Sequence, residues 1–318
     1  MSDARTPTHT SGARRFRRAR GGLLFAAVAA TAVATAAASL WVSLGAIERD
    51  PALVPAADRS SETTDGPINM LLISTDEPKG AGAAGVVMVL HIDADRRDAQ
   101  VISVPRDLLV TRVGAEPRVL ADVFADDGAA AAAEAVEQCL GIRVQHVALA
   151  WLSGMGRLID LLGGVPVDNP SDAASGGFVF PRGEITLSGD EALAYTREGV
   201  AAGEFDPAHR RQLVLTGIVS TLVTSGAMVN PGTARAVLDQ LATDVVVDPG
   251  LDNLRLIDLF VELRTRLARH TPSAIRLPTA ERGTLPSGLR YVVADTKRTA
   301  ALGQAVNTDT LHDWEQRP

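Results

Sequence analysis

The chain has 318 residues and a single cysteine, Cys139, which excludes intramolecular disulfides and zinc clusters built from thiolates. Its formal charge of −7 is unevenly spread: six arginines against one aspartate give the first 20 residues +5, which leaves −12 on the remainder. An acidic body of this kind lacks the basic face that a nucleic-acid binder displays.

Five arginines (Arg14, Arg15, Arg17, Arg18 and Arg20) stand directly before Gly21–Ile47, an uncharged run that ends at Glu48, Arg49 and Asp50. About 20 apolar residues cross a bilayer, and basic flanks stay on the cytoplasmic side. The pattern predicts a cytoplasmic basic tail (1–20), one transmembrane helix (21–47) and an outward-facing remainder: a single-pass protein of the cell membrane. A cleaved signal peptide is the alternative, although the run is longer than the usual apolar region of such peptides. Residues 48–67 mix Pro, Ser, Thr and acids without periodicity and read as a linker.

A folded domain is expected over 68–310, with 311–318 as a tail. INMLLIS (68–74) reads as a strand and TDEPKGAGAAG (75–85) as a glycine-rich loop. VVMVLHID (86–93) and QVISV (100–104) read as a hairpin of strands buried on both faces. Helical patterns follow. AAAAEAVEQCLG (130–141) has Asp126 and Asp127 as candidate N-caps and Gly141 as a stop, and Met155, Leu158, Ile159 and Leu162 share a helical face before Gly163 and Gly164. Ser188 and Glu191 form a capping box that opens a short helix delivering Arg197. RRQLVLTGIVSTLVTSG (210–226) reads as a buried helix, Asn230 and Pro231 open another, and Leu256, Phe260, Leu263 and Leu267 mark one more. AIRLPT (274–279) and LRYVVAD (289–295) are expected to pair as a closing hairpin. Strands interleaved with helices predict one α/β or α+β domain.

No G-x-S-x-G, H-E-x-x-H or phosphate-loop signature is present, and the six histidines never reach a metal-ligand spacing. What remains is a set of arginines and acids at the ends of predicted elements. Asp76 follows the first strand, Arg106 and Asp107 follow VISVP, Arg197 ends the capped helix, and Glu204, Asp206, Arg210 and Arg211 precede or open the long apolar helix. Singly, each reads as a surface charge. Together they suit phosphate, because a guanidinium binds two oxygens at once and a nearby carboxylate can hold Mg²⁺ against a pyrophosphate.

The order INMLLISTD, GVVMVLHIDADRRDAQVISVPRDLLV, DLLGGVPV, GEITLSGDEALAYTREG and RRQLVLTGIV resembles the LytR-CpsA-Psr family over residues 68–225, with a weaker match at LPTAERGTLPSGLRYVVAD. The resemblance implies an α/β/α sandwich with a central mixed sheet, preceded by one N-terminal transmembrane helix. It also implies a Mg²⁺-dependent phosphotransferase that moves a polyprenyl-pyrophosphate-linked glycopolymer onto peptidoglycan. Carried over residue by residue, it makes Asp76, Arg106, Asp107, Arg197, Glu204 and Arg210 catalytic, assigns pyrophosphate to Arg106, Arg197, Arg210 and Arg211, and gives the metal to Asp76. The family pattern is not complete. Gly85 stands where a second metal-binding aspartate is expected, Gly199 and Pro207 replace arginines, Glu204 replaces an aspartate and Arg211 a glutamine. Arg112, Arg211 and Asp206 are the candidates for compensation. Two readings follow: a divergent glycopolymer ligase, or a non-catalytic binder of polyprenyl phosphate or wall polymer that can partner a paralogue of the same family. A third, a receptor signalling through its cytoplasmic tail, has only about 20 basic residues to work with.

Overall fold

The computed structural model describes residues 37–54, 66–75, 84–96, 98–112, 116–151, 154–196, 207–224, 230–267 and 273–316, together with Thr35 and Gly114. A helical stretch, 37–45, leads into the two-residue strand β1 (Glu48–Arg49) and a 3-10 turn at Pro51–Leu53. Three long strands follow, β2 (Ile68–Thr75), β3 (Ala84–Ile92) and β4 (Ala99–Val104), and then the short β5 (Leu109–Val110) and β6 (Arg118–Val119) before helix α1 (Leu120–Leu140). β7 (His146–Trp151) and α2 (Met155–Leu162) come next. β8 (Val165–Asn169) pairs with β11 (Gly183–Leu187), and the smaller pair β9 (Ala173–Ser175) and β10 (Phe178–Phe180) lies between them in sequence. The chain closes with α3 (Gly189–Thr196), α4 (Pro207–Thr224), α5 (Pro231–Asp244), β12 (Val245–Val247), α6 (Asn253–Leu267), β13 (Ser273–Arg276), β14 (Thr279–Thr284), β15 (Arg290–Ala294), α7 (Thr296–Asn307) and a 3-10 stretch at Leu311–Gln316.

Seven strands form one mixed sheet in the order β1-β12-β7-β2-β3-β4-β13. β2, β3 and β4 are antiparallel neighbours, while β7 joins β2 and β13 joins β4 in parallel. Alternation sorts the side chains of the central strands between two cores. Leu71, Ile73, Val87, Val89, Ile102 and Val104 pack with residues of α1 and α7 on one face. Val86, Met88 and Val101 pack with residues of α2, α3, α4 and α5 on the other. The result is the α/β/α sandwich with a central mixed sheet.

The VVMVLHID and QVISV strands form the expected hairpin, β3–β4. Gly141 and Gly163 cap α1 and α2, their N–H groups bonding to Glu137 O and to Asp160 O and Ile159 O. Asn230 Oδ1 accepts from Gly232 N–H at 2.9 Å, opening α5 before Pro231.

Four boundaries differ from the sequence reading. α1 starts at Leu120, because Leu120, Val123 and Phe124 bury a face that the alanine run does not announce. Gly128, at φ 85°, kinks the helix where the sequence suggested a start. AIRLPT meets LRYVVAD only at its end, where Thr279 lies opposite Ala294: Ser273–Arg276 joins the main sheet beside β4, and the polar Thr279–Thr284 makes the hairpin with β15. The expected linker is folded at its start, where β1 pairs with β12 and Arg49 donates to Ile47 O at 2.8 Å and Asn253 Oδ1 at 2.7 Å. The expected tail begins with buried Leu311, and Trp314 packs on the first core. Of the expected span 21–47, residues 21–34 and 36 lie outside the described residues. Among the described residues no helix is long and apolar enough to cross a membrane, and Leu44 and Ile47 are buried against the domain.

Candidate functional site

Strand register brings several of the singled-out residues to one end of the sheet. Thr75, the last residue of β2, lies opposite Trp151 of β7 and Ala84 of β3. Val104 at the end of β4 lies opposite Val87, and Arg276 at the end of β13 opposite Ser103. Gly85 and the Pro105–Arg106–Asp107 turn therefore share this edge, and Asp76 lies outside the described residues.

The turn after β4 is fixed through its backbone. Pro105 O accepts from Leu108 N–H at 3.0 Å, Arg106 O from Ala121 N–H at 2.9 Å, and Asp107 O from Val292 N–H at 2.9 Å. Pro105 has no N–H to continue the ladder, so the strand stops and the half-buried Arg106 and Asp107 are presented at its end. Among the described residues neither side chain has a hydrogen-bond or ion-pair partner.

Helix α4 starts at the same end. Arg276 Nη2 donates to His209 Nδ1 at 2.9 Å, which ties the first turn of α4 to the tip of β13. Further along, Gly217 allows the close approach of α4 to β8, since a Cβ there would sit 2.4 Å from Val165 Cγ1 and 2.7 Å from Pro166 O. The helix thus holds Arg210 and Arg211 inward, 3% and 9% exposed. The Arg210 guanidinium carbon lies 5.4 Å from the Tyr195 ring centroid, a cation-π contact. Tyr195 is itself fixed from below: its hydroxyl donates to Asn169 Oδ1 at 2.9 Å, and its ring meets Phe180 edge-on at 5.1 Å. Asn169 Nδ2 donates in turn to Phe180 O and Pro181 O. Burial raises the Tyr195 phenol above its usual range, the nearby Arg210 charge opposes this, and Asp168 adds to the rise.

Tyr195 stands near the C-terminal end of α3, whose start is the expected capping box. Ser188 N–H and Oγ donate to Glu191 Oε2 at 2.8 and 2.7 Å, and Glu191 N–H donates to Ser188 Oγ at 3.4 Å. These bonds from Ser188 hold the Glu191 carboxyl below its ordinary range. α3 ends at Thr196, and the next residue, Arg197, lies outside the described residues, as do Glu204 and Asp206.

Of the residues assigned to the site from sequence, Arg106, Asp107, Arg210 and Arg211 are described, and all four lie at this end of the molecule. Arg112 does not compensate for the missing arginines: it is held by Asp127 Oδ2 at 3.1 Å and Glu134 Oε2 at 2.9 Å against α1. Tyr195, Asn169, His209 and Arg276 were not anticipated. Their partners are 26 and 67 residues away in sequence, so only the aromatic in LSGDEALAY offered a local signal. Among the described residues no three His, Cys, Asp or Glu side chains group to hold a metal ion, and Gly85 brings none to the edge. The described donors do not make a divalent-cation site. What the arrangement offers is positive charge. Two arginines this deeply placed, without a carboxylate partner among the described residues, suit an anion from outside.

Comparison with known proteins agrees in family and fold. The model of the LytR_cpsA_psr family matches residues 45–307. A polyisoprenyl-teichoic acid–peptidoglycan teichoic acid transferase TagU of Halalkalibacterium halodurans is 29% identical over 194 residues, covering 59% of this chain and 63% of that protein. The cell wall biosynthesis protein LcpA of Corynebacterium glutamicum is 30% identical over 183 residues, covering 56% and 35%. The chain thus spans less than two thirds of the length of these two relatives. The solved LytR-Csp2A-Psr enzyme from Actinomyces oris shares the fold at a TM-score of 0.63 and 22% identity, covering 82% of this chain and 96% of that one. The chain belongs to the LytR-CpsA-Psr family.

Proposed function

We propose that this is a membrane-anchored protein of cell-wall assembly, with its domain outside the cell, that binds a polyprenyl-pyrophosphate-linked glycopolymer by its pyrophosphate and transfers the polymer slowly to peptidoglycan. The observation that carries this reading is the pair Arg210 and Arg211, both buried at consecutive positions near the start of α4 without a carboxylate partner among the described residues. Pyrophosphate supplies the missing counter-charge, and a fork of N–H donors suits its oxygens. The names of the relatives, a teichoic acid transferase and a cell wall biosynthesis protein, support the class of polymer and acceptor.

In this reading an acceptor hydroxyl attacks the phosphorus that carries the polymer, and the bond to the lipid phosphate breaks. Arg106, Arg210 and Arg211, with Arg197, stabilise the charge that develops on the departing lipid phosphate. Asp107, at the end of β4, takes the proton of the hydroxyl. Tyr195 positions Arg210 and does not touch the reacting atoms. Asp76 is the one carboxylate of this chain proposed for Mg²⁺.

A second reading is favoured by Gly85 and by Pro207 at the start of α4: a binder of the same lipid without transfer. Both readings meet one experiment. The full chain in detergent is incubated with a polyprenyl-pyrophosphate-linked glycopolymer and peptidoglycan fragments, and lipid binding and release of polyprenyl phosphate are followed separately. Release that is lost in an Arg210→Ala/Arg211→Ala variant supports transfer. Binding without release leaves the binder, and neither binding nor release removes both.

A further inference from the structure

The end of the sheet remote from the arginines carries an apolar surface with no role in the site. The helical stretch 37–45 lies on this end: Leu40, Leu44 and Ile47 pack with Leu251, Leu256, Ile257 and Leu259, and Ser43 Oγ donates to Asp239 Oδ1 at 2.6 Å. Its other side is open, with Trp41 47% and Val42 68% exposed. Directly beside it, Asn253 Nδ2 donates to Trp41 O at 3.3 Å, and the next residue of α6, Leu254, is 61% exposed. Val261, two helical turns further on the same side of α6, is exposed as well. Four of the six exposed large apolar residues among the described ones thus sit on the stretch 37–45 or on the helix packed against it. A cluster of this kind marks a contact surface.

We infer that Trp41, Val42 and Leu254 rest in the outer interfacial layer of the lipid bilayer, so that α6 is a second membrane contact beside the anchor; this rests on the membrane anchoring proposed above. The occupant follows from chain length. The uncharged run starts at Gly21, and Trp41 comes 20 residues later, the length of helix that spans about 30 Å of hydrocarbon. A tryptophan at that depth lies where such side chains concentrate, its ring in the headgroup layer. Leu254, held next to Trp41 by the Asn253 bond, is carried to the same level. Ser43 and Arg49 fix the angle: Ser43 is bonded to α5, and Arg49 bridges Leu44 O, Ile47 O and Asn253 Oδ1. The stretch 37–45 is therefore tied to the domain by side-chain bonds at its C-terminal end.

The test uses the full chain with Cys139→Ala, reconstituted in phosphatidylcholine vesicles. Val42→Cys, Leu254→Cys and Val179→Cys each carry an environment-sensitive fluorophore; all three positions are exposed, so folding is spared. Val179 lies on β10 and serves as the control. The inference expects lipids brominated near the headgroup to quench the labels at 42 and 254 to a similar degree and to leave 179 unquenched. If 42 is quenched and 254 behaves like 179, the second contact is refuted while the anchor stands. If neither 42 nor 254 is quenched, the anchoring itself fails and the inference with it.

Discussion

The two ends of the central sheet treat buried charge in opposite ways. At the end near the start of β2, each of four buried or half-buried groups is answered. Arg96 donates to Glu262 Oε2, Gly66 O and Asp93 O, His91 lies between Asn69 and Asp309, His146 meets Asp248, and Arg49 reaches carbonyls and Asn253. At the other end Arg210 and Arg211 are as deeply placed, yet the only partner Arg210 shows among the described residues is the face of Tyr195. The arginines at the first end are answered within the fold, whereas those at the other end are the ones proposed to meet a ligand anion. Burial alone does not separate the two cases; the partner does.

That contrast breaks most visibly by substitution. Arg210→Ala should weaken binding of a prenyl pyrophosphate about 30-fold, since truncating a buried charged contact costs about 2 kcal/mol or more. Its melting temperature should fall only slightly, because the contact with Tyr195 is lost but no hydrogen-bond partner is stranded; calorimetry and thermal unfolding read the two effects. Arg96→Ala should do the reverse. It strands Gly66 O and Asp93 O and costs on the order of 2 kcal/mol of stability, with pyrophosphate affinity preserved in whatever fraction folds. Equal losses of stability in both variants would erase the distinction.

Two smaller effects sharpen it. Ser188→Ala removes the cap that starts α3 and should cost about 1 kcal/mol in denaturant unfolding, with a partial loss of affinity because α3 carries Tyr195 beneath Arg210. At the paired end, burial holds the His91 pKa below 6.5, with Asp309 opposing the shift. The unfolded chain then binds the proton more tightly, so stability is full above about pH 6.5 and is lost as pH falls toward the folded value. His91→Gln should flatten the fall of melting temperature over that range; an unchanged slope would assign it to other groups.

How far these features could be read from sequence follows from their range. β2, β3 and β4 were legible because apolar runs buried on both faces need no partner to be recognised, and the capping box and the glycine stops are local chemistry. β1 has two residues and β14 reads TAERGT, so neither carries a hydrophobic period. Both exist only because a neighbouring strand offers them hydrogen bonds. The arginines were legible by type and position at element ends, while their standing was not. Sequence does not show that Asp127 and Glu134 take up Arg112, nor that Arg210 lies inside against the Tyr195 ring, which Asn169 holds.

The central claim is that Arg210 and Arg211 are kept without a carboxylate in order to meet a pyrophosphate. The most direct measurement is the thermal shift of the full chain in detergent on adding a short-chain prenyl pyrophosphate, compared with the Arg210→Ala/Arg211→Ala variant. A rise in melting temperature for the native chain that is absent from the variant is the predicted result. The same rise in both proteins, or none in the native chain, would contradict it.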